Sequence, residues 1–218
     1  MSQAISIDNL LKKKYRKLGF TGEWHEAFGD PVLGGSWFVY GASSNGKSSF
    51  VQQLTRYLAE LGLNIEYVSL EEGAEDTMQQ AALRAEWRSV KRKIRIMEPI
   101  EFDDFAERVA KPKSADVFVI DTIQYFGEEV RFKQYLKLRR DNPGKLFIYI
   151  SHLKGKQPDG KAAMKVMRDS SLKIWVESLM PSATFTVMAG SMKLAVPIWM
   201  ASFHHSIPDP AYALLILQ

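Results

Sequence analysis

Short apolar runs alternate with amphipathic stretches along the middle of this 218-residue chain. Four runs rich in β-branched and aromatic residues predict buried strands: Ser36–Tyr40, Asn64–Leu70, Val117–Ile120 and Leu146–Ile150. Apolar residues at helical spacing predict four helices: Ser48–Gly62, Ala74–Arg95, Phe102–Ala110 and Phe132–Arg140. Strands that alternate with helices predict an α/β fold, with a mainly parallel central sheet flanked by helices on both faces.

The first 34 residues follow a different pattern. Ile7–Leu18 predicts a short amphipathic helix. Its apolar residues share one face, and lysine and arginine residues cover the rest of its surface. Those basic residues form either a solvated helix surface or a patch for DNA phosphates, and the pattern leaves both open. The stretch Gly19–Gly35 is rich in glycine and predicts a connector. We therefore expect an N-terminal basic helix and connector over residues 1–34, followed by a core over residues 35–177.

The remaining segment, residues 178–218, is atypically apolar. From Glu177 to the last residue only three side chains are charged, and no arginine follows Arg168. The segment is a buried edge packed on the core, a surface for a partner, or a tail altered by a change of reading frame. The sequence leaves these three alternatives open.

Composition excludes several classes of function. The chain has no cysteine, so disulfides, thiol catalysis and cysteine zinc sites are excluded. No run of about 18 apolar residues predicts a membrane span, and no apolar block at the N-terminus predicts a secretory signal, so we expect a cytoplasmic protein with no membrane partner. The formal net charge of +4 fits both a polyanionic partner and an ordinary slightly basic protein.

The strongest motif lies between the first predicted strand and the first predicted helix. Gly41–Ser48 fits the pattern G-x-x-x-x-G-K-[ST], in which backbone N–H groups and a helix N-terminus cradle phosphates. We expect Lys47 to contact the β- and γ-phosphates of ATP and Ser48 to bind Mg²⁺. The predicted nucleotide-binding residues are Gly41, Ala42, Ser43, Ser44, Asn45, Gly46, Lys47, Ser48 and Ser49.

Polar residues at the ends of three other predicted strands complete the candidate site. Asp121 follows four apolar residues, as expected of a buried strand that delivers a carboxylate to Mg²⁺. Glu71 ends the strand from Asn64 and is the candidate base that orients the attacking water, beside Glu72. His152 is either a γ-phosphate sensor or a structural histidine. The lysine-rich loop Lys154–Lys161 after it is either mobile and solvated or a nucleic-acid contact.

These motifs together resemble the ATPase core of the RecA superfamily, most closely its RadA branch, with DnaB-type helicases as near relatives. The resemblance covers roughly residues 35–177 and rests on four ordered segments: Gly41–Ser48, Tyr67–Glu72, Val119–Gln124 and Ile150–Gly155. The chain departs from RadA where a basic Lys-Asn-Arg-Phe segment is expected, since it has Phe185–Gly190 there.

That resemblance implies several properties. Glu71, Lys47 and His152 take catalytic roles, and Ser48 and Asp121 hold Mg²⁺. Homo-oligomers bind ATP between subunits, with Arg168 or Lys173 as a candidate finger from a neighbour.

The leading hypothesis is a Mg²⁺-dependent ATPase stimulated by single-stranded DNA, with a role in recombination, repair or replication. One alternative is an ATP-dependent regulator or loader that does not hydrolyse ATP. Another is a small-molecule kinase, with Arg139 and Arg140 in its lid. The segment Gly41–Ser48 is called the P-loop below. A strand between the strand that precedes the P-loop and the Asp121 strand favours the ATPase, whereas adjacency of those two strands favours the kinase.

Overall fold

The structure is a computed structural model that describes residues 4–70, 74–127, 129–179, 182–189 and 192–197, with side chains as far as Val176. Its strands are β1 (Gly35–Tyr40), β2 (Ile65–Ser69), β3 (Ile94–Met97), β4 (Val117–Asp121), β5 (Leu146–Ser151), β6 (Leu153–Lys154), β7 (Gln157–Pro158), β8 (Leu172–Leu179), β9 (Ser182–Ala189) and β10 (Met192–Pro197). Its α-helices are α1 (Ile7–Leu11), α2 (Gly22–Phe28), α3 (Lys47–Glu60), α4 (Asp76–Arg84), α5 (Phe102–Ala110), α6 (Phe132–Asp141) and α7 (Lys161–Asp169).

Eight strands form one sheet in the order β10-β9-β8-β1-β5-β4-β2-β3. The six from β8 to β3 are parallel, and β9 and β10 extend the β8 edge as antiparallel strands. Strands β6 and β7 form a separate two-stranded hairpin. The predicted fold class, a mainly parallel central sheet flanked by helices, is confirmed.

Each face of the sheet is covered by its own hydrophobic cluster. On one face, α3 packs Phe50, Leu54 and Leu58 against the sheet, because their spacing of four residues aligns them along one side of the helix. On the other face, Phe105 of α5 and Tyr135 of α6 contact the sheet's aromatic residues. Strand residues buried on both sides explain the continuous apolar runs of the sequence.

The N-terminal region differs from its prediction. Helix α1 ends at Leu11 instead of Leu18, because the chain then extends and pairs with residues 31–33, where Leu18 N donates to Pro31 O at 2.9 Å. The predicted connector contains α2, and its Trp24 stacks on Tyr57 with ring centroids 5.1 Å apart. Phe20 adds edge contacts to both rings. This segment therefore packs on the helix that follows the P-loop.

The predicted helix Ala74–Arg95 is also wrong in extent. Helix α4 ends at Arg84, and Glu86 then adopts a left-handed conformation with φ 56°, which a helix does not continue through. A 3₁₀ turn over Trp87–Val90 leads into β3, which pairs with β2 as the edge strand. The short Ile94–Met97 run is a strand because its backbone satisfies the open edge of β2.

Candidate nucleotide site

The carboxyl ends of β1, β5 and β4 meet at one edge of the sheet. Tyr40 pairs with Ser151, and Ile120 pairs with Tyr149, so Asp121 lies level with Ile150 on the strand between. Neighbouring strands are about 4.8 Å apart, which places the backbone of Asp121 about 10 Å from that of β1. Parallel sheets bind ligands at this edge. Strand order and register therefore bring the strand that ends before Gly41, the strand that ends at Asp121 and the strand that ends before His152 to one edge of the sheet.

The P-loop begins where β1 passes close to β8. A Cβ atom on Gly41 would lie 2.2 Å from the carbonyl oxygen of Val176, so only glycine allows this approach. The turn then uses positive φ angles of 62° at Ser44 and 81° at Gly46. Phe50 N donates to Gly46 O at 2.9 Å, which makes Gly46 the residue from which α3 starts. The turn and the helix N-terminus have the form of an anion cradle.

The side chain of Lys47 binds back to the turn that precedes it. Its side chain is buried, and its Nζ donates to the carbonyl oxygen of Ala42 at 2.8 Å. A buried ammonium needs polar partners, so this contact holds the charge against the loop. Four serine residues are exposed here: Ser43 and Ser44 in the turn, and Ser48 and Ser49 at the start of α3. The nine residues predicted to bind nucleotide thus comprise a turn over residues 41–46 and the first three residues of α3.

Asp121 is anchored by β2. The Tyr67 hydroxyl donates to Asp121 Oδ2 at 2.6 Å, and Leu70 N donates to Asp121 O at 2.8 Å. Strand alternation directs this carboxylate to the sheet face covered by α3, the same face as Tyr67. Mg²⁺ in phosphate sites is held by one or two carboxylates together with the phosphates, so Asp121 and the Ser48 hydroxyl are a fitting donor set. Among the described residues, no group of three His, Asp or Glu side chains could hold a metal ion.

The predicted base Glu71 and its neighbour Glu72 lie outside the described residues. The last described position before them is Leu70, whose backbone is bonded to Asp121. The role of Glu71 stays a prediction.

His152 lies at the base of the β6–β7 hairpin, directly after β5. Its backbone N–H donates to Gln124 Oε1 at 3.3 Å, and its carbonyl accepts from Asp159 N at 3.0 Å. The loop predicted as either solvated or nucleic-acid-binding is a hairpin with exposed Lys154 and Lys156 and a buried Pro158. Whether the His152 ring senses a phosphate stays a prediction.

No sequence motif indicates Tyr67 or Gln124 as a site residue. A tyrosine on an otherwise apolar buried strand needs a partner for its hydroxyl, and this requirement is the one sequence signal for Tyr67. The partners of Gln124 lie 27 to 35 residues further along the chain, so no local pattern indicated them.

Two further observations bear on the alternatives. Strand β5 lies between β1 and β4, whereas β2 lies beyond β4. Arg139, suggested for a kinase lid, instead pairs with Asp169 at 2.9 Å between α6 and α7.

Within the described part of the chain, no helix is both long and apolar enough to cross a membrane.

Comparisons with known proteins support the fold. No protein-family model matches the chain, and no curated protein matches it. A solved structure of a KaiC-like protein from the hyperthermophilic archaeon Pyrococcus horikoshii OT3 is similar, with a TM-score of 0.60 and 20% identity. The similarity covers 84% of this chain and 94% of that one. KaiC-like proteins have the RecA fold, so this neighbour does not single out the RadA branch or DnaB-type helicases. The chain has the RecA-like α/β fold.

Proposed function

We propose that this chain binds ATP with Mg²⁺ at Gly41–Ser49 and hydrolyses it. The observation that carries the proposal is the loop closed on buried Lys47, with Asp121 held one strand beyond β5 at the same sheet edge. Backbone N–H groups at the start of α3 would bind phosphate oxygens, and Lys47 would place its charge between the β- and γ-phosphates. Ser48 and Asp121 would hold Mg²⁺, which neutralises charge on the phosphates.

Hydrolysis needs a group that orients the attacking water. Glu71 takes this role in the proposal, because in the sequence it comes two residues after Ser69, which ends β2 and pairs with Asp121. The position of β5 between β1 and β4 supports an ATPase over a small-molecule kinase. A regulator that binds ATP without hydrolysing it differs from the proposed ATPase only in this step. The effect of Glu71→Gln on ATP turnover therefore distinguishes the two functions.

The proposal extends to DNA and to other copies of the chain as partners. Lys154, Lys156 and Lys161 lie on and after the hairpin that leaves β5, where their charges suit a phosphate backbone. We infer that single-stranded DNA contacts this hairpin and that the protein acts in recombination, repair or replication, as a homo-oligomer with Arg168 or Lys173 facing a neighbour's ATP.

The deciding experiment measures ATP binding by calorimetry and ATP turnover, each with and without single-stranded DNA at low salt. Lys47→Ala should abolish binding, whereas Glu71→Gln should keep binding and lose turnover by about 100-fold or more. Lys111→Ala is the matched control, because this exposed lysine precedes the opposite end of β4. Normal turnover in Glu71→Gln would exclude this base. Binding without turnover in the wild type would favour the regulator, and turnover indifferent to DNA would remove the DNA partner.

A further inference from the structure

Gln124 lies where β4, β5 and the β6–β7 hairpin meet. It belongs to the 3₁₀ turn Ile123–Phe126 that follows β4, three residues after Asp121. Ile123 and Thr122 in between are buried, and Tyr125 N donates to Thr122 O at 3.1 Å. The link from Asp121 to Gln124 is therefore short and packed.

One side-chain amide of Gln124 holds both ends of the hairpin segment. Its Nε2 donates to Ser151 Oγ at 2.8 Å and to Asp159 O at 2.9 Å. Its Oε1 accepts from His152 N at 3.3 Å. Ser151 ends β5, and Asp159 follows β7, so the three bonds close residues 152–159 into a loop fixed at its base.

The chemistry of this position requires a primary amide. Glutamine offers two donors and an acceptor on one planar group, and each is used here. A carboxylate of the same length keeps the acceptor but has no donor, and an apolar side chain has neither. The hairpin base also depends on His152 O, which accepts from both Ser151 Oγ and Asp159 N. In the described contacts, the bond from Asp159 N to His152 O and the adjacent β6–β7 pairing do not depend on Gln124, whereas the links from the hairpin base to the 3₁₀ turn do.

We propose that Gln124 is a positioning residue that couples nucleotide at the Asp121 edge to the conformation of the β6–β7 hairpin. This inference rests on the proposed ATP site. A shift of Asp121 on binding Mg²⁺ and ATP moves the turn at 123–126, and the amide passes that movement to Ser151 and Asp159. The positions of the exposed Lys154 and Lys156 on the hairpin then change, and with them the surface that an anionic partner would contact.

The test is hydrogen exchange of the hairpin amides over residues 153–159, with and without Mg²⁺ and the slowly hydrolysed analogue ATPγS. In the wild type, the analogue should change the exchange rate by about threefold or more. In Gln124→Met the basal rate should rise about fivefold, since all three hydrogen bonds of the amide are lost, and the response to the analogue should disappear. Gln124→Glu should behave in the same way, because it also lacks the donors. The matched control is Gln80→Met, at an exposed position of α4.

Analogue affinity, measured by calorimetry on the same samples, separates the two levels of the argument. A wild type that fails to bind the analogue contradicts the ATP site itself and removes the basis of the coupling. A wild type that binds it with no change in the hairpin overturns the coupling alone. A full response in either Gln124 variant also overturns it, whereas loss of the response with affinity kept within about twofold supports it.

Discussion

The hydroxyl of Tyr67 donates to Asp121 Oδ2 at 2.6 Å, across the pair of strands β2 and β4. Tyr67 is wholly buried, and its ring lies 5.4 Å from that of Trp87, so its position is set by packing. Asp121 is half-buried at the end of its strand. The rigid phenol therefore fixes the rotation of the carboxylate that the proposal assigns to Mg²⁺.

Removal of that hydroxyl should impair Mg²⁺-dependent turnover more than it lowers the affinity for ATP. Groups that orient a metal-ligating side chain typically contribute 10- to 100-fold to affinity or activity. In Tyr67→Phe we expect turnover to fall about 10-fold at limiting Mg²⁺ and to recover partly at high Mg²⁺. The measurement is ATP turnover against Mg²⁺ concentration, beside ATP affinity.

Tyr57→Phe is the matched control for Tyr67→Phe. Its hydroxyl also makes a hydrogen bond, accepting from Thr21 N at 2.7 Å, but it lies in the N-terminal aromatic cluster. That variant should keep the wild-type Mg²⁺ dependence. An unchanged Mg²⁺ curve in Tyr67→Phe would show that the hydroxyl does not position the metal ligand.

A methyl group at Gly41 should disrupt the start of the P-loop. The added Cβ would lie 2.2 Å from Val176 O, and because that atom is backbone, β1 and β8 must separate. We expect Gly41→Ala to lower the free energy of unfolding by about 1–3 kcal/mol, as overpacking does, and to weaken ATP binding. Urea unfolding and calorimetry measure both effects.

Gly144→Ala makes the same chemical change where the structure has space. No atom lies within 4 Å of its added Cβ, and its φ is outside the left-handed range. This variant should stay within about 1 kcal/mol of the wild type, on the stabilising side. Equal losses in the two glycine variants would contradict the close approach at Gly41.

The sequence pattern predicts those parts of the molecule that depend on residues close together in the chain. The buried strands appear as apolar runs because both faces of the sheet are covered, and Gly41–Ser48 is contiguous, so its loop could be identified without knowing the fold. Strand β3 was missed because the short run Ile94–Met97 follows a helical stretch, and short apolar runs do not distinguish helix from strand.

Long-range partners explain the other omissions. Tyr67 and Asp121 are 54 residues apart, and Gln124 bonds residues 27 and 35 positions later. Each residue alone looks ordinary, and its role depends on which strands become neighbours. The early end of α1 has the same cause, since pairing with residues 31–33 overrides the helical spacing of Ile7–Leu18.

The buried carboxylate of Glu66 should make Arg108 important for stability. Arg108 Nε and Nη2 each donate to it at 2.9 Å, and these hydrogen bonds to Glu66 raise the pKa of the guanidinium. Arg108→Met leaves a buried charge without its cation, at a cost of about 2–3 kcal/mol in unfolding free energy. Urea unfolding at pH 7 measures it.

Two comparisons make the Arg108 prediction specific. The exposed pair Arg16–Asp116, at 3.5 Å, should matter little, so Arg16→Met should cost less than about 1 kcal/mol. Replacing both partners, as Glu66→Met with Arg108→Met, should cost less than the sum of the single changes, because no lone charge remains. Additive losses would contradict a direct interaction.

Tyr149 should make the protein sensitive to alkaline pH. The residue lies in β5 beneath α6 and α7, and its hydroxyl has no hydrogen-bond partner among the described residues. Burial raises the pKa of Tyr149 well above 10, and nearby Tyr135 raises it further. The unfolded chain therefore releases this proton near pH 10 while the folded protein keeps it, so the unfolding free energy falls as pH rises beyond that point.

Because of Tyr149, the unfolding free energy should fall by up to about 1.4 kcal/mol per pH unit, and this fall should begin only above about pH 10. Tyr149→Phe should remove it, while burial also raises the pKa of Tyr135 and leaves that residue's contribution in place. At pH 7 the variant should differ little from the wild type, since the lost hydroxyl has no described partner. Urea unfolding from pH 7 to 11 measures both ends of the comparison. If the variant loses stability above pH 10 as steeply as the wild type, the buried phenol of Tyr149 does not stay protonated in the folded state.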